Sequence, residues 1–460
     1  MKIIGIIAEY NPFHNGHAYQ IKKIKEELQA DYVVVAMSGN FVQRGAPSII
    51  DKYSRTEMAL NCGADLVLEL PVLWATASAE HFAMAGVTLF DKMGCVDGIC
   101  FGAETDDLHT LSKISSLLIE EPPAFRHALS SYLKEGLSFP VARSKALCDY
   151  FANWNDYTKH NTSINPEVIT SILNAPNNIL AIEYLKALKR RHSSMTPYII
   201  KREGAGYHEE TIQHISSSSL NDDILSAYHR NFATTNYIPT ASATAIRKEL
   251  SAKAFAFPDP NAEFSYDTLI DTMPDEALTV LKNYITKSAL IFTNDFSSIL
   301  CYKLLCSDTQ FLSTVGDSTT DFANRMIKNR SQFINFEQYC ELCKRKEITY
   351  SRISRIFTHL LLNITEEDYI FGKSINYIPY LRILGFKKSA SSLLKELKQQ
   401  AQIPIISKLA NAASLLPKDA MQLLEKDIFA ANLYAHTCTT KTGILHNNEF
   451  SRTIVSDFHR

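Results

Sequence analysis

The sequence predicts an α/β protein, with a doubly wound parallel sheet in its first half and a mainly helical region behind it. Short apolar runs alternate with amphipathic stretches through about the first hundred residues, as strands buried on both faces and helices packed over them require. The 460 residues exceed one ordinary core, so at least two domains are expected. After about Phe264 glycine becomes sparse and helical periodicity dominates.

The elements follow in order. KIIGIIAEY reads as the first strand. In AYQIKKIKEEL, Ile21, Ile24 and Leu28 recur at helical spacing with Lys22, Lys23 and Lys25 off that face, so this helix should pack on the sheet. YVVVAMSG is the second strand, followed by a helix around KYSRTEMALNCG, a strand LVLELPV, a helix around SAEHFAMAGVTLF and a strand DGICFGAE. Ligands of such a fold bind at the carboxyl ends of the strands. A helical insertion is expected over about 105–190, and TPYIIKREG should return to the sheet. The predicted domains are 1–264, with that insertion, and 265–460, mainly helical.

Composition narrows the function. With 46% hydrophobic and 21% charged residues the chain reads as soluble, and a net charge of -2 excludes a uniformly basic coat, so any nucleic-acid site must be local. The N-terminal apolar run is interrupted by Glu9 and the run LVLELPVLWATASA by Glu69, so neither a signal peptide nor a membrane span is predicted and a cytoplasmic protein is expected. Nine cysteines fit reduced thiols. The one CxxC, Cys340 and Cys343, lies in a helix-like stretch without a second pair of ligands, and no metal site is predicted.

The segment Glu9-Tyr10-Asn11-Pro12-Phe13-His14-Asn15-Gly16-His17 falls between the first strand and the first helix. Asn11 and Pro12 favour a turn, Gly16 allows close backbone approach, and the helix start offers unpaired N–H groups. Two imidazoles three residues apart can donate to phosphate oxygens without the fixed charge that would trap a product. A capping histidine or a chance HxxH is the competing reading, and the strand-turn-helix context favours phosphate. Arg44, in SGNFVQRG after the second strand, can reach a carboxylate or phosphate, or can be a surface arginine. Gly102 ends another strand, where a missing side chain leaves room for adenine or ribose, or where a glycine simply serves a turn. In Ser242-Ala243-Thr244-Ala245-Ile246-Arg247, hydroxyls at a helix start with an arginine one turn later form a second phosphate clamp or an ordinary cap.

The ordered set AEYNPFHNGHAYQI, MSGNFVQRG, FGAE, PNNILAIEYLKAL, KREGAGYH, SATAIR, TYSRISRIFTHLLL and YLRILGF covers nearly the whole chain and resembles the bacterial tRNA(Met) cytidine acetate ligases of the HxGH nucleotidyltransferase superfamily. The resemblance implies a Rossmann-like nucleotidyltransferase domain followed by a tRNA-binding helical one. It implies an ATP loop over Ile7, Ala8, Glu9, Tyr10, Asn11, Pro12, Phe13, His14, Asn15, Gly16, His17, Ala18, Tyr19 and Gln20. His14 and His17 would face the phosphates, with Arg44 as a third catalytic residue. Further nucleotide contacts would come from Gly102, Asn177 (in preference to Asn178), Arg202, Glu203, Ser242, Thr244 and Arg247. The stretch Thr240-Ala241 departs from the hydroxyl-rich form of the last motif, and the tail after about Thr437 has no assigned role.

The implied chemistry is consistent with those residues. Free acetate is a poor electrophile, so it would attack the α-phosphate of ATP, expelling pyrophosphate. The acetyl-adenylate would then acylate N4 of the wobble cytidine of elongator tRNA(Met) and release AMP, with Mg²⁺ carried by the triphosphate. Lys344, Arg345, Lys346, Arg352 and Arg355 are the candidate RNA-binding residues, and the runs Lys186–Arg191 and Lys387–Lys398 are also basic; each has a solvated helix face as its alternative. The competing functions are a nucleotidyltransferase acting on a small metabolite, which needs no large helical domain, and a nucleotide-sensing RNA-binding protein without turnover.

Overall fold

A computed structural model describes residues 1–152, 164–202, 241–255 and 266–456. Its strands are β1 (Ile3–Ala8), β2 (Tyr32–Ser38), β3 (Phe41–Val42), β4 (Ala46–Pro47), β5 (Leu66–Leu70), β6 (Gly98–Ala103), β7 (Thr196–Lys201), β8 (Leu381–Phe386), β9 (Ile405–Ile406) and β10 (Val455–Ser456). The main sheet runs β10-β8-β5-β2-β1-β6-β7, with β9 on β8, while β3 and β4 form a separate hairpin. β1 lies parallel to β2, with Ile3 opposite Tyr32 and Ala8 opposite Met37, and parallel to β6 through Ile4–Gly98 and Gly5–Ile99. The chain therefore winds from β1 through β2 to β5, then returns to β6 and β7 on the other side of β1. That reversal puts the topological switch point, and the expected ligand crevice, at the carboxyl ends of β1 and β6.

The helices of the first part are α1 (Asn15–Glu26), α2 (Lys52–Asn61), α3 (Val72–Ala75) and α4 (Ala79–Met93). Alternate strand residues feed opposite cores, as the two-residue period of a strand dictates. Val33 and Val35 join Ile21 and Ile24 of α1 on one face. Val34 and Ala36 join Phe82 and Phe90 of α4 on the other. Close approach fixes α4 over β1: a Cβ on Gly86 would lie 2.4 Å from Ile7, and one on Gly5 2.6 Å from Phe90.

Between β6 and β7 come α5 (Leu108–Glu120), α6 (Pro123–Lys134), α7 (Phe139–Ala152), α8 (Pro166–Asn174) and α9 (Pro176–Arg190), and α10 (Ala243–Phe255) follows β7. Beyond residue 266 helices dominate, among them α11 (Tyr350–Leu362) and α12 (Lys418–Thr442). One stretch placed in the helical half by sequence, LRILGF, is instead β8, antiparallel to β5. Its consecutive buried residues are what a strand covered on both faces needs. The second half thus completes the sheet as well as following it. Cys340 and Cys343 are both fully buried in this half, as two small apolar residues of one helix, Phe336–Cys343.

Two further features tie the halves together. The β3–β4 hairpin seats Gly45, at φ +72°, against the backbone of α11. Ser354 Oγ donates to Gly45 O at 2.6 Å. Where α2, β5 and β8 meet lies a buried charge quartet: Lys52 Nζ is 2.6 Å from both Glu69 and Glu449, and Arg382 pairs with the same two carboxylates. Glu449 belongs to the tail that sequence left without a role.

Candidate nucleotide site

A cavity of about 300 Å³ opens at the switch point between β1 and β6. The Asn11–Pro12 bond is cis, and His14 caps α1. Gly16 N donates to His14 Nδ1 at 3.1 Å, and His14 N donates to His17 Nδ1 at 3.2 Å. Each Nδ1 is thereby an acceptor, which puts the ring proton of both histidines on Nε2 and leaves each with one N–H to give. The two rings stack with centroids 3.7 Å apart, and Tyr10 meets His17 edge-on at 4.8 Å. Burial, with Arg202 and Arg247 adding to it, holds His14 down to about 3. Burial and the neighbouring His14 hold His17 well below its ordinary value. Both are neutral donors at physiological pH.

Cations surround these donors. Arg247 Nη1 donates to Asn11 O at 2.7 Å and its Nη2 to Thr244 Oγ1 at 3.0 Å, so the start of α10 is clamped to the loop after β1. Ser242 Oγ accepts from Ala245 N at 3.1 Å, a helix cap that also lines the cavity. Burial lowers Arg247 to about 10, which leaves it charged. Arg44 lies at the hairpin tip and Arg202 just beyond β7, and both line the wall. Beneath them Arg55, fully buried, donates to Glu9 O (2.6 Å), Ser38 O (3.0 Å), Ile50 O (3.3 Å) and Gly39 O, gathering the ends of β1 and β2.

The cavity wall takes in Ile7, Ala8, Glu9, Tyr10, Asn11, His14, Gly16, His17, Tyr19, Gln20, Arg44, Gly102, Asn177, Arg202, Ser242, Thr244 and Arg247. Four residues of the loop lie off it. Phe13 is a core side chain, Ala18 packs beside the same core, the Asn15 side chain donates to Asp271 O at 2.8 Å, and Pro12 is buried in the turn. Glu203 lies outside the described residues. The PNN stretch divides its two amides: Asn177 reaches the wall, while Asn178 is buried and accepts from Glu104 N and Thr105 N at 2.9 and 3.2 Å. At Gly102 an added Cβ would meet the Arg202 stem in ordinary contact, 3.4 Å from Cγ, so the glycine is not required by that neighbour.

Sequence reasoning missed Gln43, Ala79, Phe82, Phe101, Leu180, Tyr184 and Lys201 of the wall. Gln43 and Lys201 adjoin residues that were found, whereas Ala79 and Phe82 start a helix whose sequence reads only as core. Of the basic candidates, Arg352 donates twice to Asp317 O (3.2 and 2.9 Å) and Arg355 pairs with the Asp317 carboxylate at 2.8 Å. Both brace a turn. Lys344 and Arg345 pair with Glu341 and Asp321 on the surface, and Lys346 is exposed. In the run Lys186–Arg191, Lys189 donates to Ser112, Ser115 and Ser116, and Arg191 pairs with Asp91. Among the described residues no group of three or more His, Cys, Asp or Glu gathers as for a metal, and no helix is long and apolar enough to cross a membrane.

Paired neutral histidines at a strand-to-helix turn, ringed by arginines at the switch point of a doubly wound sheet, define a nucleotide-binding site of the nucleotidyltransferase class. The HIGH Nucleotidyl Transferase family model matches residues 1–239 and 222–448. The tRNA(Met) cytidine acetate ligase of Clostridium perfringens (strain ATCC 13124) is 38% identical over 435 residues, 95% of each chain. That of Thermoanaerobacter sp. (strain X514) is 39% identical over 94% of this chain and 95% of its own. The crystal structure of Thermotoga maritima TmcAL bound with alpha-thio ATP superposes with a TM-score of 0.83 at 27% identity, covering 99% of both chains. The chain belongs to the tRNA(Met) cytidine acetate ligase family of HIGH nucleotidyl transferases.

Proposed function

We propose that this chain activates acetate with ATP and transfers the acetyl group to N4 of the wobble cytidine of elongator tRNA(Met). One observation carries the first half of that reading: both histidines expose Nε2–H donors and stay neutral beside Arg202, Arg247 and Arg44. Such donors stabilise the charge that builds on phosphate oxygens as acetate attacks the α-phosphate and pyrophosphate leaves. Asn177 and the Gly102 strand end form the nucleoside side of the cavity. Arg44, carried at the tip of the β3–β4 hairpin, is the cation for the incoming carboxylate. Magnesium enters with the triphosphate, whose oxygens and waters hold it.

Transfer RNA would lie against the 265–460 region, held by Lys344, Arg345 and Lys346. Arg352 and Arg355 contribute through the turn they brace. The size of this region, and its entry into the sheet through β8, favour a macromolecular acceptor over a small metabolite. The test is ATP–pyrophosphate exchange on purified protein with Mg²⁺, with and without acetate and without RNA. Acetate-dependent exchange is the expected result; exchange indifferent to acetate, with or without tRNA(Met), would overturn the reading.

A further inference from the structure

The second half of the proposed reaction needs a proton acceptor. When the cytidine amine attacks acetyl-adenylate, the N4 lone pair forms the N–C bond and the C–O bond to phosphate breaks, its electron pair leaving with AMP. One N4 proton must then go somewhere. The histidines are poor acceptors, because burial and the adjacent arginines oppose their protonation. The arginines of the wall carry their charge at every working pH and cannot accept the proton. Among the described residues of the cavity wall, Glu9 is the one carboxylate.

Its surroundings hold it as a preorganised group. The Glu9 carbonyl is fixed by Arg55 at 2.6 Å, and Glu9 Oε1 accepts from Gln43 N at 2.9 Å. Its charge acts on Arg44, Arg247 and Arg55 at longer range than an ion pair, and no described residue donates to Oε2. A carboxylate in a cavity built for a polyanion also weakens binding of that anion by repulsion, so its placement calls for a step that uses it.

We propose that Glu9 is the general base of the transfer step, taking the N4 proton of the attacking cytidine through its Oε2 oxygen and passing it to water. This rests on the acetate-ligase reading above, and the two half-reactions separate the two ideas. Wild-type protein, ATP, acetate, Mg²⁺ and tRNA(Met) are used to measure exchange without RNA and single-turnover acetyl transfer with it. If the wild-type protein shows no acetate-dependent exchange, the functional reading fails.

With exchange established, Glu9→Gln should lower transfer by at least about 100-fold more than exchange, the scale of general-base catalysis, and leave acetyl-adenylate accumulated on the protein. Equal losses in the two half-reactions, or transfer at the wild-type rate, would overturn the proposal. Exchange also reports that the variant is folded at its site. Should Glu9→Gln not fold, Glu9→Asp makes the same comparison, because it keeps the acid but withdraws it by one methylene. Transfer reduced more than exchange supports the assignment, and equal reduction overturns it.

Discussion

Replacing Gly45 by alanine should uncouple the hairpin that carries Arg44 from the helix beneath it. The residue sits at φ +72°, and an added Cβ would lie 2.2 Å from Arg355 N and 2.3 Å from the Ser354 carbonyl carbon. Those are helix backbone atoms, which cannot rotate aside. The left-handed conformation costs an alanine about 1–2 kcal/mol. Overpacking adds about 1–3 kcal/mol, and losing the Ser354 Oγ–Gly45 O bond adds about 1 kcal/mol. A penalty of about 3–6 kcal/mol is therefore expected, less whatever the hairpin recovers by lifting away. Lifting moves Arg44, while the β1 loop stays tied through Arg55 and Arg247. Urea unfolding followed by circular dichroism gives the stability, and exchange kinetics give the rest: the acetate KM should rise at least about tenfold, with the ATP KM changing less. A variant within about 1 kcal/mol of wild type and with an unchanged acetate KM would refute the reasoning.

His17→Ala removes one Nε2–H donor and should cut exchange by about 10²–10³-fold, with the circular dichroism spectrum retained; wild-type exchange would remove the phosphate role. Folded His14 is held down to about 3 against 6.5 ordinarily, so below pH 6.5 the unfolded chain takes up a proton that the folded one refuses. That term lowers stability as pH falls, by up to about 1.4 kcal/mol per unit, and comparison of His14→Asn with wild type in urea at several pH values should show a shallower acid loss in the variant. Changing Lys344, Arg345 and Lys346 together to alanine should weaken tRNA binding and flatten its salt dependence by about 0.7 per lost phosphate contact, sparing exchange; an unchanged salt slope would return this loop to a solvated surface. Glu449→Gln leaves Lys52 and Arg382 sharing one carboxylate in a buried site and should cost about 3–5 kcal/mol, read from the urea midpoint.

The legible parts were those governed by local period. Ile21 and Ile24 at helical spacing, and the valines of β2 at strand spacing, state their elements and buried faces directly, and the strand-turn-helix context located His14 and His17. The pairing of β8 with β5 was not legible, because LRILGF is a short apolar run and periodicity alone cannot separate a buried strand from a buried helix segment. Nor were the destinations of charges. Arg355 and Lys346 look alike as letters, yet one is bonded to Asp317 under the hairpin and the other is exposed. Arg55 gave no signal at all, since its four carbonyl partners come from separate turns brought together only by the sheet. Asn177 and Asn178 are adjacent on a helix start, and which of them faces the cavity depends on where the chain places Glu104, just beyond β6.

The way the two halves join bears on the order of the chemistry. Adenylation needs donors placed to a fraction of an ångström, and the β1 loop obtains them from the His14 cap and from two long-range clamps, Arg247 on Asn11 and Arg55 on Glu9. The hairpin with Gln43 and Arg44 is placed differently. Its tip rests on α11, and Asn40 ahead of it accepts from Lys52 N, whose side chain enters the quartet completed by Arg382 of β8 and Glu449 of the tail. The Arg44 side of the cavity is thus set by both halves of the chain. Gln43 N also holds Glu9, so a shift of the hairpin would reach the carboxylate, while Asn15, bonded to Asp271 O and Thr272 O, ties the histidine loop to the second half as well.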